Sequence, residues 1–212
     1  MQFLQAVLLG VPMTLLITLL AFAVGAVLGV PLVLARRSAL APVRVAARLV
    51  IDVLRGIPPV VFLFVIYYGV GTDVIKLNAL QAAVIGLGLI AAGYMAEIYR
   101  GGLLAVHKGQ FESAAALGMS HWTALSRIIG PQAVRVALPS ATTYAIGLLK
   151  DSSIASTITA TEILYRAESA ARGQGAPLEP FLIAAVVYIA LGAPLAWLSR
   201  TMDAKMRARV AK

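Results

Sequence analysis

The chain has 212 residues, of which 60% are hydrophobic and only 13% charged, with no cysteine and a formal net charge of +9. Soluble domains average about 25% charged residues, and here the apolar residues fall in long blocks, which excludes a soluble domain and indicates an integral membrane protein. Without cysteine there are no disulfides, thiol chemistry or cysteine-based metal sites, and basic residues interleaved with apolar blocks argue against a nucleic-acid binder.

Residues 1–35 carry no charge. Ala21-Phe22-Ala23 imitates a signal-peptide cleavage site. That reading is rejected, because no cation precedes the apolar run and the run continues to Ala35. The first span is expected from Met13 to Ala35, since about 20 residues cross a hydrocarbon core of ~30 Å. Gly25, Gly29 and Pro31 allow close helix contact or a bend. Arg36-Arg37 ends the span. Val43 to Arg55 is then amphipathic, with Arg44, Arg48, Asp52 and Arg55 on one face and Val45, Leu49, Val50, Val53 and Leu54 on the other. Arg48 and Asp52 are spaced to pair. This stretch reads either as an interfacial helix with a wet side or as a charged stripe lining the mouth of a path.

Gly56-Ile57-Pro58-Pro59 interrupts the helix before a second span, Val60 to Val70. A loop with Asp73 and Lys76 leads to the third span, Leu80 to Tyr99, whose Gly and Ala content suits close packing. Only Val136 to Leu149 is free of charge in the fourth span, which leans on a snorkelling Arg135 or Lys150. It is short, polar and flanked by proline, as a transport site in a membrane is. Ser152 to Pro180 reads as a loop of mixed charge with a short helix at Thr161 to Ala171, and Phe181 to Leu198 as the last span.

Between the third and fourth spans, Gln110 to Pro139 reads as a helix–turn–helix element. Phe111 to Leu117 is built from helix formers and Gly118 is a natural C-terminal stop. Ser120 is placed to cap a second helix, His121 to Ile129, which Gly130-Pro131 is expected to break. Phe111, Leu117 and Met119 are its candidate apolar knobs. The alternative is a re-entrant packing loop.

Orientation follows from the cations. With the amino end outside, the inner segments hold Arg36, Arg37, Arg44, Arg48, Arg55, Arg100, Lys108, Arg127, Arg135, Arg200, Lys205, Arg207, Arg209 and Lys212. The outer ones hold only Lys76, Lys150, Arg166 and Arg172. The positive-inside rule selects this arrangement of five spans, which puts Glu112 to Gly118 in the cytoplasm.

The spacing Glu112, Ala114, Gly118, Ile128 and Pro131 resembles the EAA loop of permease subunits in ATP-binding-cassette importers. Ser113 stands where a second Ala is usual, and Gly130 where Leu is usual. YMAEIYRGGLLAVHKGQ (Tyr94 to Gln110), LKDSSIAS (Leu149 to Ser156) and Arg55-Gly56-Ile57-Pro58 resemble the polar amino acid branch. The resemblance runs from about Met13 to Arg200. It implies an all-α membrane protein of the type I importer permease kind, with residues 1–212 forming one permease domain and residues 100–136 its cytoplasmic coupling loop. Phe111, Glu112, Ala114, Ala115, Leu117, Gly118 and Met119 would then engage a groove on an ATPase subunit. It further implies a second permease subunit, identical or homologous, an extracytoplasmic solute-binding protein, and residence in the bacterial cytoplasmic (inner) membrane. The substrate implied is an amino acid or a derivative. The resemblance also implies that this chain binds no cofactor and that ATP is used by the partner.

For chemistry within the chain, Glu97 and Arg100 form a possible helical pair with Tyr94 on the same face. They read as an interfacial anchor or as a gating group. Lys150-Asp151 reads as a snorkelling anchor or, by the resemblance, as part of an outer gate. The candidate substrate path is Tyr94, Glu97, Thr143, Tyr144, Lys150, Asp151, Ser152 and Ser153. His107 and His121 have no metal-ligand spacing, and there is no GxxxxGK[ST] phosphate loop. A membrane-embedded hydrolase would need a nucleophile and base within the spans, and no histidine lies there. A stand-alone secondary transporter or channel would need internal repeats and ionisable groups at mid-depth. The charges sit instead at span ends.

Overall fold

The computed structural model describes residues 2–70, 76–175 and 178–210, with side chains 70, 174 and 203–210 left aside, and among these residues the chain is all-helical. Asp73 and the side chains of Lys205, Arg207, Arg209 and Lys212, named above, lie outside the described residues.

Helix α1 (Gln2–Leu8) precedes α2 (Val11–Arg36), the first predicted span. Helix α2 packs most extensively on α5 (Ala79–Leu104). Small residues make this approach possible: Gly25 and Gly29 are buried, and a Cβ on Gly29 would lie 2.8 Å from the Met95 Cβ. In lipid such packing, rather than hydrophobic transfer, holds helices together. Helix α5 begins at a capping box, with Gln81 N donating to Asn78 Oδ1 at 2.8 Å and Asn78 N to Gln81 Oε1 at 3.0 Å.

Helix α3 (Ala41–Gly56) falls where the amphipathic pattern placed it. Ala47, Ile51 and Leu54, spaced i, i+4, i+7, face the body, because only a narrow edge of α3 meets α5 at Gly93. Of the predicted apolar face Leu54 joins this line, while Val45, Leu49, Val50 and Val53 are 53%, 60%, 47% and 55% exposed, the side an interfacial helix turns to lipid. Arg48 and Asp52 form no ion pair among the described residues.

After Ile57-Pro58 the chain turns by 102° into α4 (Pro59–Phe64), continued by a π-helical stretch, Val65–Val70. These twelve residues extend about 18 Å, short of a ~30 Å hydrocarbon core taken alone. Among the described residues, three segments are long and apolar enough to cross a membrane: Gln2–Arg36, Ala79–Leu104 and Glu179–Met202. The bent α3–α4 pair would make four. Helix α8 (Gly130–Asp151), the fourth predicted span, has 22 residues, enough for about 33 Å. Ser140, Thr142, Thr143 and Tyr144 make it more polar than those three.

Gly130-Pro131 does not break the helix. Helix α7 (His121–Ala124) runs through a π-helical stretch, Leu125–Ile129, straight into α8. Gly130 N–H bonds back to the Leu125 carbonyl, and a Cβ there would lie 2.5 Å from that oxygen. The wider π turn accepts Pro131 at the start of the next α segment, where its missing N–H matters least. Ser152–Ile158 is a 3-10 helix rather than a loop, ending at Thr159 in the left-handed region. It leads into α9 (Ile163–Gln174), close to the predicted short helix, and α10 (Glu179–Val210) forms the last span and continues beyond Leu198.

Three packed clusters hold these elements. One gathers Ile17, Leu63, Leu87, Ala91, Leu148 and Ile158. A second gathers Val33, Ile51, Ala96, Ala114, Ile129 and Ala133. The third joins Val7, Ile163, Ala167, Ala184 and Val187, and so ties α1 to α9 and α10.

Candidate functional site

The connection between α5 and α8 folds as a small projecting element. Helix α6 (Lys108–Ala116) is capped by His107, whose Nδ1 accepts from Gly109 N at 3.1 Å. It ends in a Schellman arrangement. Gly118 has φ +67, Met119 N donates to the Ala114 carbonyl at 3.0 Å, and Gly118 N to the Ala115 carbonyl at 2.9 Å. The Ser120 hydroxyl then accepts from Thr123 N at 3.2 Å, the predicted cap of α7. Gln132 Nε2 donates to Gln110 Oε1 at 3.1 Å, linking α6 to α8.

The element has an anchored face and an open face. Ala114 is buried, and Phe111 and Met119 pack into the second cluster beside Val106 and Ile129. Two of the three expected knobs therefore point inward, as side chains following a helix with one seated face must. Glu112, Ala115 and Gly118 are exposed, and Leu117 is 77% exposed, making it the projecting knob. Because α6 starts at Lys108, three residues before the predicted start, Glu112 lies mid-helix and not in the first turn.

A polar cleft of about 430 Å³ opens between α3, α5 and α8, lined by Arg55, Tyr94, Glu97, Gly101, Val136 and Ser140. Arg55 lies over the Tyr94 ring at 5.2 Å, and Tyr94 stacks on Tyr144 with centroids 5.0 Å apart. Glu97 accepts from Arg100 Nη2 at 2.9 Å, the predicted pair, and also from Arg36 at the end of α2. Two guanidinium groups thus share one carboxylate, and Arg55, which lines the same cleft, makes no ion pair among the described residues. Of the charged stripe on α3, Arg55 is the member lining this cleft.

The family described as binding-protein-dependent transport system inner membrane component matches residues 23–208. The chain belongs to this family. The permease resemblance carried by Glu112, Ala114, Gly118, Ile128 and Pro131 is borne out at that level. Relatives include the probable amino-acid ABC transporter permease protein YckA of Bacillus subtilis (strain 168), 38% identical over 86% of this chain and 80% of its own length. The L-cystine transport system permease protein TcyB of the same organism is 34% identical over 96% of this chain and 87% of that one. A solved structure of an amino acid ABC transporter with histidines superposes with a TM-score of 0.88 at 31% identity, covering 96% of this chain and 95% of the other. The inward-facing methionine ABC transporter MetNI gives 0.82 at 21% identity over 94% of this chain and 96% of its own, a likeness of fold. The expected all-α, type I permease fold is thereby met.

Within this inner membrane component the remaining path candidates do not gather at the polar cleft. Thr143 bonds to Ser199 Oγ at 3.0 Å and lines a separate cleft with Ser140, Pro139 and Arg200. Lys150 is exposed at the far end of α8, without an ion pair to Asp151. Ser152 is fully buried and donates its hydroxyl to the Leu149 carbonyl at 2.7 Å, so no free hydroxyl is offered there. Ser153 is half-buried.

Sequence reasoning missed Ser140 as a cleft residue and Arg36 as a partner of Glu97. It also missed Glu162, which is fully buried between spans at the start of α9, accepts from Tyr165 N at 2.7 Å, and takes the Tyr188 hydroxyl from α10. Burial pushes its carboxyl above the usual range, against the lowering effect of those bonds. A Glu three residues before a backbone N–H at a helix start was the available signal for Glu162. Nothing local joins Arg36 to Glu97, 61 residues away.

Proposed function

We propose that this chain is the membrane-spanning subunit of an ATP-driven importer that moves an amino acid or amino-acid derivative into the cytoplasm. It crosses the bacterial inner membrane five times with its amino end outside, and pairs with a second permease subunit. ATPase subunits, which alone hydrolyse ATP, grip the element at Glu112 to Gly118, and an extracytoplasmic solute-binding protein delivers the substrate. The names of the relatives support the substrate class.

The observation that carries this reading is mechanical. The projecting element is not a free loop. Its base is packed in the second cluster, and α7 continues without a break into α8, which lines the polar cleft. A force on Leu117 therefore passes through the Gly118 turn to α7, and from there along the continuous α7–α8 helix to Ser140 and Tyr144. Moving α8 against α5 shears the Tyr94–Tyr144 stack and changes the width of the cleft. Interfaces packed this closely favour discrete arrangements over gradual deformation.

In the cleft Arg55 is the cation left without a carboxylate partner, and it is suited to a substrate carboxylate. Glu97, satisfied by Arg36 and Arg100, sets the spacing of those cations. The test is reconstitution. Uptake of amino acids into vesicles holding this chain, its ATPase and its binding protein should require ATP. Uptake that persists in vesicles lacking any ATPase would overturn the importer reading in favour of a stand-alone transporter.

A further inference from the structure

An apolar groove of about 360 Å³ lies on the side of α5 and α8 away from the polar cleft. Met95, Tyr99 and Leu103 line it from α5, while Tyr94, Glu97 and Ile98 face the cleft. On α2 the lining runs from Phe22 to Leu34, twelve residues apart, or about 18 Å. That is close to the depth of one leaflet, half of a ~30 Å hydrocarbon core. Its one lining hydroxyl, on the half-buried Tyr99, is satisfied within the protein, because it donates to the Ala26 carbonyl at 3.1 Å. The groove therefore offers nothing to a polar solute.

Its mouth has a different chemistry. Trp122, at the docking element's end of the groove, is 66% exposed, and indole rings favour the level of lipid headgroups. Leu34 lines the groove, and Arg37 stands one turn further on the same face of the chain, exposed and without an ion pair among the described residues. Val30 and Val134 form open lips, 45% and 49% exposed. A dry slot one leaflet long, with a tryptophan and a free cation at its interfacial end, has the shape and charge of a phospholipid site.

We propose that this groove seats one acyl chain of an anionic phospholipid of the inner leaflet, with its headgroup against Arg37 and Trp122. Since Leu125 and Gly130 also line it, the chain sits against the π-helical stretch that joins the docking element to α8. The lipid would therefore stiffen the segment through which force passes. The inner-leaflet assignment rests on the orientation of the permease reading. The test below uses neither nucleotide nor ATPase, so its failure leaves transport untouched. Labelling of an Ala115→Cys variant from outside would remove both.

The chain has two tryptophans and no cysteine, which gives clean probes. In a Trp197→Phe background Trp122 is the sole emitter. The full chain is reconstituted in vesicles with rising fractions of brominated-chain phosphatidylglycerol or brominated-chain phosphatidylcholine. Quenching should reach its midpoint at an about fivefold lower mole fraction of the anionic lipid, the effect of one cation near an anionic headgroup. Arg37→Gln should abolish that preference and Arg37→Lys keep it, while Val134→Phe, which fills the groove, should reduce quenching by both lipids. Equal midpoints for the two lipids, or a preference unchanged by Arg37→Gln, would overturn the proposal. So would efficient disulfide cross-linking of a Val134→Cys variant between two copies, which would put a protein surface in the groove.

Discussion

Replacing Gly118 by valine tests the docking element at its turn. Gly118 has φ +67, and no atom lies within 4 Å of the place a Cβ would take, so the substitution collides with nothing. Its cost is therefore one of backbone conformation. An L-residue in the left-handed region loses about 1–2 kcal/mol, and a β-branched one is further restricted at χ1. Opening the turn instead would give up the Met119–Ala114 and Gly118–Ala115 hydrogen bonds, each worth about 0.5–1.5 kcal/mol net. The two costs are comparable, so the turn of the variant divides between native and opened forms, a shift of roughly 5–30-fold in population. None of the three packed clusters contains Gly118, and the chain should still insert. The assay is substrate-stimulated ATP hydrolysis by the assembled transporter, beside the amount of chain in the membrane. Gly118→Val should lose most of the stimulation at normal abundance, and Gly118→Asn should retain most of it, because Asn enters the left-handed region more readily. Full stimulation in Gly118→Val would refute the argument that this turn sets the docking geometry.

Arg55→Ala should raise the substrate concentration for half-maximal uptake by about tenfold or more, the worth of one charge-assisted hydrogen bond, with Arg55→Lys intermediate; an unchanged value removes Arg55 from the path. Glu97→Gln should cost about 1–3 kcal/mol of stability, because it deprives Arg36 and Arg100 of their shared carboxylate in a site where Glu97 is only 16% exposed. Thermal unfolding in detergent reads this, and Arg36→Gln combined with Glu97→Gln should cost less than the sum of the two. Glu162 gives a pH signature. Its carboxyl is held above its usual value of 4.5, so the folded chain binds the proton more tightly than the unfolded chain. Its contribution is fully present below that value and is lost as pH rises through the raised one. Stability measured across this window should fall with rising pH, and Glu162→Gln, whose amide oxygen can still accept from Tyr165 N while its NH2 donates to the Tyr188 oxygen, should flatten the slope.

What the chain order made legible was local. The Gly118 stop, the Ser120 cap, the α9 helix and the Glu97–Arg100 pair all depend on neighbours within four residues, and the structure has each of them. What depended on packing was not legible. Periodicity found the apolar face of α3 but cannot say which arc of it meets protein, here the edge of Ala47, Ile51 and Leu54. Phe111 and Met119 were assigned outward for the same reason. The unbroken passage through Gly130-Pro131 needed a π turn, whose Leu125 bond has no sequence signature at that spacing. Ser152 lost its candidacy because its hydroxyl is spent on its own helix.

The most direct measurement concerns Ala115, exposed on the open face of α6. An Ala115→Cys variant, the sole cysteine of the chain, is treated with an impermeant maleimide in right-side-out and in inside-out vesicles, with and without the ATPase subunits bound. Labelling should occur in the inside-out vesicles alone and should slow markedly once the ATPase is present. Labelling from the outer side, or an inner rate indifferent to the ATPase, would contradict the claim that a cytoplasmic motor grips this element.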